Sequence, residues 1–595
     1  MLPSTALVLF AIYFHSPVEP ATKCSHSVVF QKILGLRPTL ERRVSDEKSV
    51  LPLYVASKSS EEAVSVKCAR LCREDPICNG YLLVFSQNVC YGYTTNRTAL
   101  GGGLIRTHYD YIDDCNHQLV PDANVAYFVK SCLDVSLKCA SNKLFPIVTI
   151  TGASLVGQNF IQLPKLISRE ECINGCLREQ RFACRSARFV HSTRNNRQRL
   201  SKKSNRIQLG QCFLSKADKF TNPESFGYGW EGEEYLENQC HEMRRHEARC
   251  SFEQNRDSAF VYADDSMIVS DERSCSERCL HEDRFACLGY TYHNSTRGSP
   301  ICSLHSDDLT SLGPRAVKVI NGSVYARRVQ CLSIDAQCQS VLIKVNFDPP
   351  RGFYGKMYLN TPQVDCSQDT SNRTARVLEI VTGNEIAESR CGIRRAFIKE
   401  NMFSFLIFAY VYIQQDTAVR TQSDRILKIG CIHHSGSQNT TTLMANMPMQ
   451  PTVDFIPHRQ SFSFGSTELN NGTAKITKHV TVKLIDVATQ TEVLEATVGQ
   501  LIEMQIISVN RDYDLMPYDL MAHSGSETIR LLDEKGCPLN RRIFSGFRRQ
   551  KSSTAAVTLR ARFHAFLLPT STTVNFRLTL KFCYEACPKV VCFYQ

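Results

Sequence analysis

The second half of the chain is dominated by short apolar segments that predict β-strands. Val480–Asp486 and Met504–Ile507 are rich in aliphatic and β-branched residues, and Phe408–Gln414 alternates aromatic with aliphatic side chains. Such segments are typical of strands that pack one face against a core. The longest apolar run after the N-terminus, Met402–Ile413, has twelve residues. It is too short to cross a bilayer and predicts a buried strand.

The first half combines strand-like runs with three segments that predict helices. Each helical segment carries two cysteines four positions apart, namely Cys68 and Cys72, Cys172 and Cys176, and Cys275 and Cys279. Helix N-caps are predicted from Ser59 with Glu62, Ser168 with Glu171, and Ser270-Asp271. Because residues i and i+4 lie on one face of a helix, both cysteines of a pair can reach a sheet packed beneath it.

The cysteine spacing repeats three times and predicts three copies of one small module. A third cysteine follows each pair, at Cys78, Cys184 and Cys287. The chain has 27 cysteines spread over 595 residues, which favours an oxidising compartment and structural disulfides. Zinc is the alternative, but zinc sites normally draw on two separate cysteine pairs, and each module has only one. Six cysteines per module leave fifteen pairings open.

The N-terminus and the sequons favour secretion. Residues 1–21 contain an apolar core, Ala6–Phe14, followed by small residues and proline, which is typical of a secretory signal peptide. N-glycosylation is predicted at six N-x-S/T sequons, at Asn96, Asn294, Asn321, Asn372, Asn439 and Asn471.

The net charge of +12 is scattered, apart from one basic segment between Cys184 and Cys212. Its cations are Arg194, Arg197, Arg199, Lys202, Lys203 and Arg206. They predict contact with a polyanion such as an acidic glycan, and the alternative is a solvated loop without a ligand. A scattered charge is not a nucleic-acid footprint, so no nucleic-acid partner is expected.

Three cysteine sets resemble the PAN/apple domain, whose pattern is C…C-x3-C-x(5–8)-C…C…C. The domains implied are 24–115, 132–240 and 250–331. The resemblance implies pairing of first with sixth, second with fifth and third with fourth cysteines: Cys24–Cys115, Cys68–Cys90, Cys72–Cys78, Cys139–Cys240, Cys172–Cys212, Cys176–Cys184, Cys250–Cys331, Cys275–Cys302 and Cys279–Cys287. Cys132 lies outside these sets, so it is a candidate for cross-linking to another chain.

The remainder resembles a zona pellucida (ZP) module. The resemblance rests on Phe353–Tyr358, Phe408–Gln414, Gly536–Phe544 and Phe563–Pro569, with the closing run Cys583-x3-Cys587-x4-Cys592. It implies a ZP-N half at 338–431 with Cys338–Cys431 and Cys366–Cys391, a linker at 432–475, and a ZP-C half at 476–595. ZP-C halves usually carry a cysteine pair where Leu520 and Leu578 stand, and a buried apolar contact is expected instead. The pairing of Cys537, Cys583, Cys587 and Cys592 stays open.

The fold class expected is therefore a multidomain chain: three small disulfide-stapled α+β PAN/apple modules followed by two all-β immunoglobulin-like sandwiches. No enzyme is expected, since no G-D-S-G-G motif follows Cys331 and no P-loop or G-x-G-x-x-G motif is present. His241-Glu242 and His246 resemble a zincin motif, but the histidines are five positions apart instead of four. We expect no catalytic residues, metal or cofactor.

The module order resembles secreted apical extracellular matrix proteins of nematodes and insects, which line cuticle, ducts or sensory organs. The resemblance implies a structural and adhesive role, with ZP partners that include other copies of the chain, and PAN modules that bind protein or glycan. The alternative is a secreted glycan- or receptor-binding adhesion protein whose ZP module only oligomerises the PAN arms. The sequence ends at Gln595 without the tail and transmembrane anchor of ZP precursors, so we expect either a shortened product or isoform or a chain that is secreted without an anchor.

Overall fold

The protein is mostly β with few helices. A computed structural model describes residues 27–38, 50–55, 63–75, 78, 80–85, 89–93, 119–191, 209–228, 232–241, 251–294, 299–329, 332–339, 342–349, 353, 355–359, 367–368, 376–382, 389–398, 401–434, 449–456, 461–464, 480–510, 512–550, 557–568, 573–584, 586–588, 590 and 592. Within these residues, no helix is both long and apolar enough to span a bilayer.

In its described residues, the first module is a five-stranded antiparallel sheet with one helix. Its elements are β1 (Ser27–Pro38), β2 (Val50–Val55), α1 (Val64–Glu74), β3 (Gly80–Val84), β4 (Val89–Tyr93) and β5 (Leu119–Leu133). The strands hydrogen-bond in the order β2-β4-β3-β5-β1. Because β5 pairs with both β1 and β3, the module continues to Leu133. The sequence-based end at residue 115, and the start of the next module at 132, are therefore too early.

The second module repeats this strand order and adds a small two-stranded sheet. Its elements are α2 (Leu137–Asn142), β6 (Ile147–Thr151), β7 (Ala153–Leu155), β8 (Ile161–Gln162), β9 (Ile167–Ser168), α3 (Arg169–Arg178), β10 (Ser186–His191), β11 (Leu209–Ser215), β12 (Phe226–Tyr228) and β13 (Glu233–Asn238). The order is β8-β11-β10-β13-β6, with β9 also on β11 and β7 paired to β12.

The third module has the same order again, β15-β17-β16-β18-β14. Its elements are β14 (Ser251–Phe260), β15 (Asp265–Ile268), α4 (Glu272–His281), β16 (Gly289–His293), β17 (Ile301–His305), α5 (Leu309–Leu312) and β18 (Val317–Val329).

The three modules share one hydrophobic core and are not independent folding units. Strand β1 of the first module pairs in parallel with β6 of the second, so the two sheets are continuous. Phe128, Phe145 and Phe285, one from each module, lie in one cluster of buried apolar residues. The Phe145 ring is 6.0 Å from that of Phe128 and 5.8 Å from that of Phe285. Burial of this shared apolar area stabilises the modules jointly.

The helix starts follow the predicted caps in two modules of three. Ser168 and Glu171 form a capping box at α3, and Asp271 caps α4 through the Ser274 amide. The expectation for α1 is wrong: the helix begins at Val64 after Ala63, with no side-chain capping bond. Tertiary packing of Cys68, Ala69 and Cys72 replaces the missing cap there.

Ser168→Ala tests the capping box. The Ser168 hydroxyl accepts from the Glu171 amide at 3.1 Å, and the Glu171 carboxylate accepts from the Ser168 amide at 2.7 Å. The substitution is expected to lower the free energy of unfolding by about 1 kcal/mol, measured by urea denaturation followed by circular dichroism. Ser276→Ala, in the middle of α4, should change it little. Equal effects of the two substitutions would contradict a capping role.

The region from residue 332 to 456 is a two-sheet β-sandwich, here called the first sandwich. Its strands are β19 (Ser333–Gln339), β20 (Leu342–Asp348), β21 (Lys356–Leu359), β22 (Ser367–Gln368), β23 (Arg376–Val381), β24 (Arg394–Ile398), β25 (Asn401–Gln414), β26 (Arg425–His434) and β27 (Met449–Ile456). Sheet β19-β20-β23 faces sheet β22-β21-β25-β26-β27, in which β24 also pairs with β25. Val345, Ile380, Ile407, Val411 and Leu427 fill the space between them.

The region from residue 461 onward forms two five-stranded sheets, here called the second sandwich. Its strands are β28 (Ser461–Phe464), β29 (Val480–Asp486), β30 (Thr491–Glu492), β31 (Glu495–Thr497), β32 (Leu501–Ser508), β33 (Tyr513–Ser524), β34 (Glu527–Arg530), β35 (Arg548–Gln550), β36 (Val557–His564) and β37 (Thr573–Tyr584). The orders are β31-β28-β37-β33-β34 and β30-β29-β32-β36-β35. Leu520 is fully buried in the core of this sandwich, and the partly buried Leu578 packs against the same core.

The predicted linker at 432–475 contains ordered strands. β27 pairs with β26 of the first sandwich from Met449 to Ile456, whereas β28 pairs with β31 and β37 of the second. Low apolar content predicted a connector, but backbone hydrogen bonding to an open sheet edge orders these segments whatever their side chains are.

Candidate functional site at the junction of the modules

Disulfides hold each helix onto its own sheet. In the first module Cys68 and Cys72 of α1 bond to Cys90 on β4 and to Cys78. The second and third modules have the corresponding bonds Cys172–Cys212, Cys176–Cys184, Cys275–Cys302 and Cys279–Cys287, and the second also has Cys139–Cys240. A cysteine pair on one helix face therefore reaches two partners, as helical geometry requires.

Further cysteines outside the three helix pairs are also disulfide-bonded. Cys338 bonds to Cys431, and the second sandwich has Cys537–Cys592 and Cys583–Cys587. Cys132 and Cys391 are disulfide-bonded as well. The expectation that Cys132 awaits another chain is therefore wrong. The predicted pairs Cys24–Cys115 and Cys250–Cys331, and Cys366, lie outside the described residues.

A buried ion cluster joins all three modules. The Lys32 ammonium of β1 lies 2.6 Å from Asp264 Oδ1, 2.8 Å from Asp307 Oδ2 and 2.8 Å from Ser306 Oγ, all in the third module. Lys219 of the second module donates to Asp307 Oδ1 at 2.8 Å. These side chains are at most 1 % exposed. Two ammonium groups and two carboxyl groups are thus in direct contact at the junction of the modules.

The pKa of the Asp307 carboxyl reflects these contacts. Burial by itself would raise the pKa, but Lys219 and Lys32 outweigh burial and hold it below its ordinary value. The opposite applies to Lys219: burial would lower its pKa, whereas Asp307 and Glu237 raise it. Each partner is thus kept ionised by the other. A buried pair of this kind is costly to break because a lone charge would remain in the core.

His305, next to this cluster, is a buried neutral histidine. Its Nδ1 donates to the Tyr262 carbonyl at 2.6 Å and its Nε2 accepts from the Thr291 hydroxyl at 2.8 Å, an arrangement that uses one tautomer of the uncharged ring. Burial, together with the nearby Lys32 ammonium, lowers the pKa of His305 to about 4 and outweighs the hydrogen bond to the Tyr262 carbonyl and the Asp307 charge, which raise it. The ring therefore stays uncharged at neutral pH.

A second polar cluster ties the first two modules together. Arg169, the first residue of α3, donates through Nε to Glu234 at 2.5 Å, through Nη1 to Gln31 at 2.8 Å and through Nη2 to Thr149 at 2.7 Å. His191 Nε2 lies 2.8 Å from the other oxygen of Glu234. The guanidinium thus connects α3 to β1, β6 and β13, which fixes the helix relative to both sheets.

Equivalent strands stand at the end of the sheet in the three modules. In the described part of the chain, β2, β8 and β15 each stand at the end of the hydrogen-bonded order of their module. Each carries or adjoins an exposed apolar residue: Val55, Phe160 and Ile268. The Lys216 ammonium lies 3.6 Å from the centre of the Phe160 ring. Unpaired strand edges with apolar neighbours are suited to binding an extended partner segment.

The second sandwich packs against the modules and against the first sandwich. The Tyr228 ring of the second module meets His564 edge to face at 5.5 Å, and Arg315 of the third module pairs with Asp486. From the first sandwich, Val419 is fully buried in the core of the second, and the adjacent Arg420 pairs its backbone with Leu567. The loop between β25 and β26 thus packs into the second sandwich and connects the two sandwiches.

The sequence-predicted binding residues are described only in part. The basic segment from Arg194 to Arg206 lies outside the described residues, as do the sequons at Asn96, Asn372, Asn439 and Asn471. Asn294 and Asn321 are described, and both are exposed. His241 lies 3.6 Å from Asp218, while the rest of the zincin-like motif falls outside the described residues.

Sequence reasoning missed the ion cluster completely. A weak signal was present: an aspartate, Asp218 or Asp308, stands six residues after the fifth cysteine of the second and third modules. Both aspartates are buried. The repeated position is adjacent to Lys219 in the second module and to Asp307 in the third.

Comparison with known proteins identifies the second and third modules. A family model described as the PAN domain matches residues 139–240 and 250–331. A search of curated proteins found no match. The first matched range begins at Cys139, in agreement with the module start after Leu133. PAN domains are modules suited to binding protein or carbohydrate. Residues 139–240 and 250–331 are thus PAN domains within a multidomain, mostly β, disulfide-rich chain.

Proposed function

We propose that this protein is a structural and adhesive component of an apical extracellular matrix. In this proposal the PAN domains, with the first module, bind matrix proteins or glycans, and residues 338–595 act as a ZP module that assembles chains into polymers. The disulfides and the PAN domains fit an extracellular protein. The resemblance of the module order to cuticle and duct matrix proteins supplies the tissue context.

The observation that carries the proposal is the position of β27. This strand comes from the segment that connects the sandwiches and pairs with β26 over eight residues at the end of its sheet. β27 also lies close to β14 of the third module without pairing to it. A strand on a connecting segment can leave its own sheet and add to the same edge of a neighbouring copy, with the same hydrogen bonds re-formed. Such exchange between copies would build a polymer.

The adhesive role rests on the fixed arrangement of the three modules. The buried ion cluster and the shared core hold the modules, and with them the sheet-end strands β2, β8 and β15, in a constant relation. Several weak sites held rigidly on one chain gain effective concentration, so a polymer that presents many copies would adhere strongly.

A cysteine lock tests the exchange of β27. Lys428 and Asp454 are register partners on β26 and β27. A disulfide in Lys428→Cys/Asp454→Cys would hold β27 on its own sheet, so this variant should stay monomeric where the unaltered chain assembles with rising concentration in analytical ultracentrifugation. Lys483→Cys/Gln505→Cys, which joins partners on β29 and β32 of one sandwich, is the matched control and should assemble normally.

Two outcomes would contradict the proposal in different ways. A strictly monomeric unaltered chain at high concentration would remove polymer formation. Assembly of the locked variant at the normal level would retain polymer formation but exclude β27 exchange as its route. Mixing the single variants Lys428→Cys and Asp454→Cys should also give a disulfide between two chains if the strands exchange.

A further inference from the structure

The third module carries a protrusion that displays Asn321. Strands β14 and β18 pair Arg256 with Val324 and Ser258 with Val319, so four residues of β18, 320–323, lie opposite the single residue Asp257. Asp257 adopts φ of 51°, a left-handed conformation that is uncommon outside glycine, and its Oδ1 accepts from the Gly322 amide at 3.0 Å. Gly322 itself has φ of 75°. The Asn-Gly turn therefore projects the asparagine outward.

Further hydrogen bonds hold the protrusion against the neighbouring strand. The Asn294 amide donates to the Gly322 carbonyl at 3.3 Å, and His293 Nδ1 lies 2.8 Å from Ser323 Oγ. Ser323 is buried although it belongs to the Asn321 sequon. The sequons of Asn294 and Asn321 therefore meet at one tip, with both asparagines exposed.

The same tip leaves two aliphatic side chains in solvent. Val319 is 76 % exposed and Ile320 is 41 % exposed. They immediately precede Asn321 in the chain, on a segment that the contacts above hold in place. Adjacent exposed aliphatic residues beside a fixed modification site indicate a surface that something covers in the finished protein.

We propose that Asn321 carries an N-linked glycan whose first N-acetylglucosamine covers Val319 and Ile320. In its formation, Asn321 Nδ2 loses a proton and bonds to the anomeric carbon of the sugar. The bond from that carbon to the pyrophosphate of a lipid-linked oligosaccharide donor breaks, and the lipid pyrophosphate leaves. Transfer precedes burial of Ser323 in the folded module. Asn294 carries a second glycan at the same tip.

Two deglycosylation reactions on the folded, secreted protein distinguish the effect of the first N-acetylglucosamine from that of the rest of the glycan. An endoglycosidase that leaves one N-acetylglucosamine on each asparagine should leave the binding of the apolar dye ANS and the sedimentation coefficient unchanged. An amidase that removes the whole glycan should increase ANS fluorescence and shift sedimentation toward larger species. Equal behaviour of the two products would overturn the covering role.

Substitutions assign the effect to Asn321. Asn321→Gln should lose one glycopeptide in mass spectrometry and reproduce the amidase result. Asn294→Gln, the matched control at the same tip, should lose a glycopeptide without increased dye binding. Val319→Thr/Ile320→Thr added to Asn321→Gln should restore the low dye signal. An unmodified Asn321 in the secreted protein would overturn the proposal. Dye binding that the two threonine substitutions leave unchanged would overturn it as well, because the exposed apolar surface would then lie elsewhere.

Discussion

Asp307→Asn is expected to lower the free energy of unfolding by about 3–5 kcal/mol, because it removes the buried carboxylate that both Lys32 and Lys219 contact. Asp307 contacts both ammonium groups at 2.8 Å, and all three side chains are buried. The lost charge cannot be replaced by water at a position with no exposed surface. The effect should appear as a lower midpoint in calorimetry and urea denaturation of the full chain.

A double-mutant cycle distinguishes the ion pair from simple loss of packing. Lys219→Met leaves Asp264 and Asp307 to share Lys32, so it should also destabilise. The double variant Lys219→Met/Asp307→Asn keeps the pair Lys32–Asp264 and removes both charges of the Lys219–Asp307 pair, so its loss should be smaller than the sum of the two single losses. Arg273→Ala, which breaks the exposed pair Arg273–Glu277, should have little effect. Strict additivity in the cycle would contradict the ion-cluster account.

Acidification from pH 6.5 toward pH 4 is expected to remove about 3 kcal/mol of stability through His305 alone. An unfolded histidine titrates near its ordinary pKa of 6.5, whereas burial lowers the pKa in the folded protein to about 4. Between these values the unfolded state binds a proton that the folded state does not bind. The stability is therefore fully present above pH 6.5 and is lost as the pH falls through the pKa of the folded protein.

His305→Gln should flatten this pH dependence. The amide of glutamine can donate to the Tyr262 carbonyl and accept from Thr291 without titrating. The measurement is the difference in free energy of unfolding between the original chain and the variant from pH 4.5 to 7. His281→Gln, at an exposed position of α4, should retain the original slope. A variant at position 305 with an unchanged slope would show that another group is responsible.

Local spacing made much of the first half predictable. The staples of Cys72 to Cys78 and of Cys176 to Cys184 close short loops, and the helical period alone places the two cysteines of each pair on one face. The capping box at Ser168 is equally local. These features depend on residues within about ten positions of each other, so the sequence displays them directly.

Long-range features escaped sequence reasoning for an identifiable reason. Strand β5 was missed as the end of the first module because its partner β1 lies about 100 positions earlier. Cys132, which lies on β5, was therefore assigned to no module. The pairing of Cys537 with Cys592 could not be chosen from four cysteines without knowing which strands adjoin. The strands β27 and β28 were hidden by their polar composition, since the sheet edges that order them belong to other segments.

By itself, the sequence determined the threefold repeat of the cysteine spacing, the position of both cysteines of a pair on one helix face and the all-β character of the second half, because these depend on periodicity and spacing. Only the tertiary structure decided that the three modules form one body around Lys32, Asp264, Asp307 and Lys219. Lys32 bonds to residues 232 and 275 positions away. In the sequence these charged residues are indistinguishable from those of a solvated surface. Burial, which depends on the packing of all three modules, makes them the ion cluster at the junction of the modules.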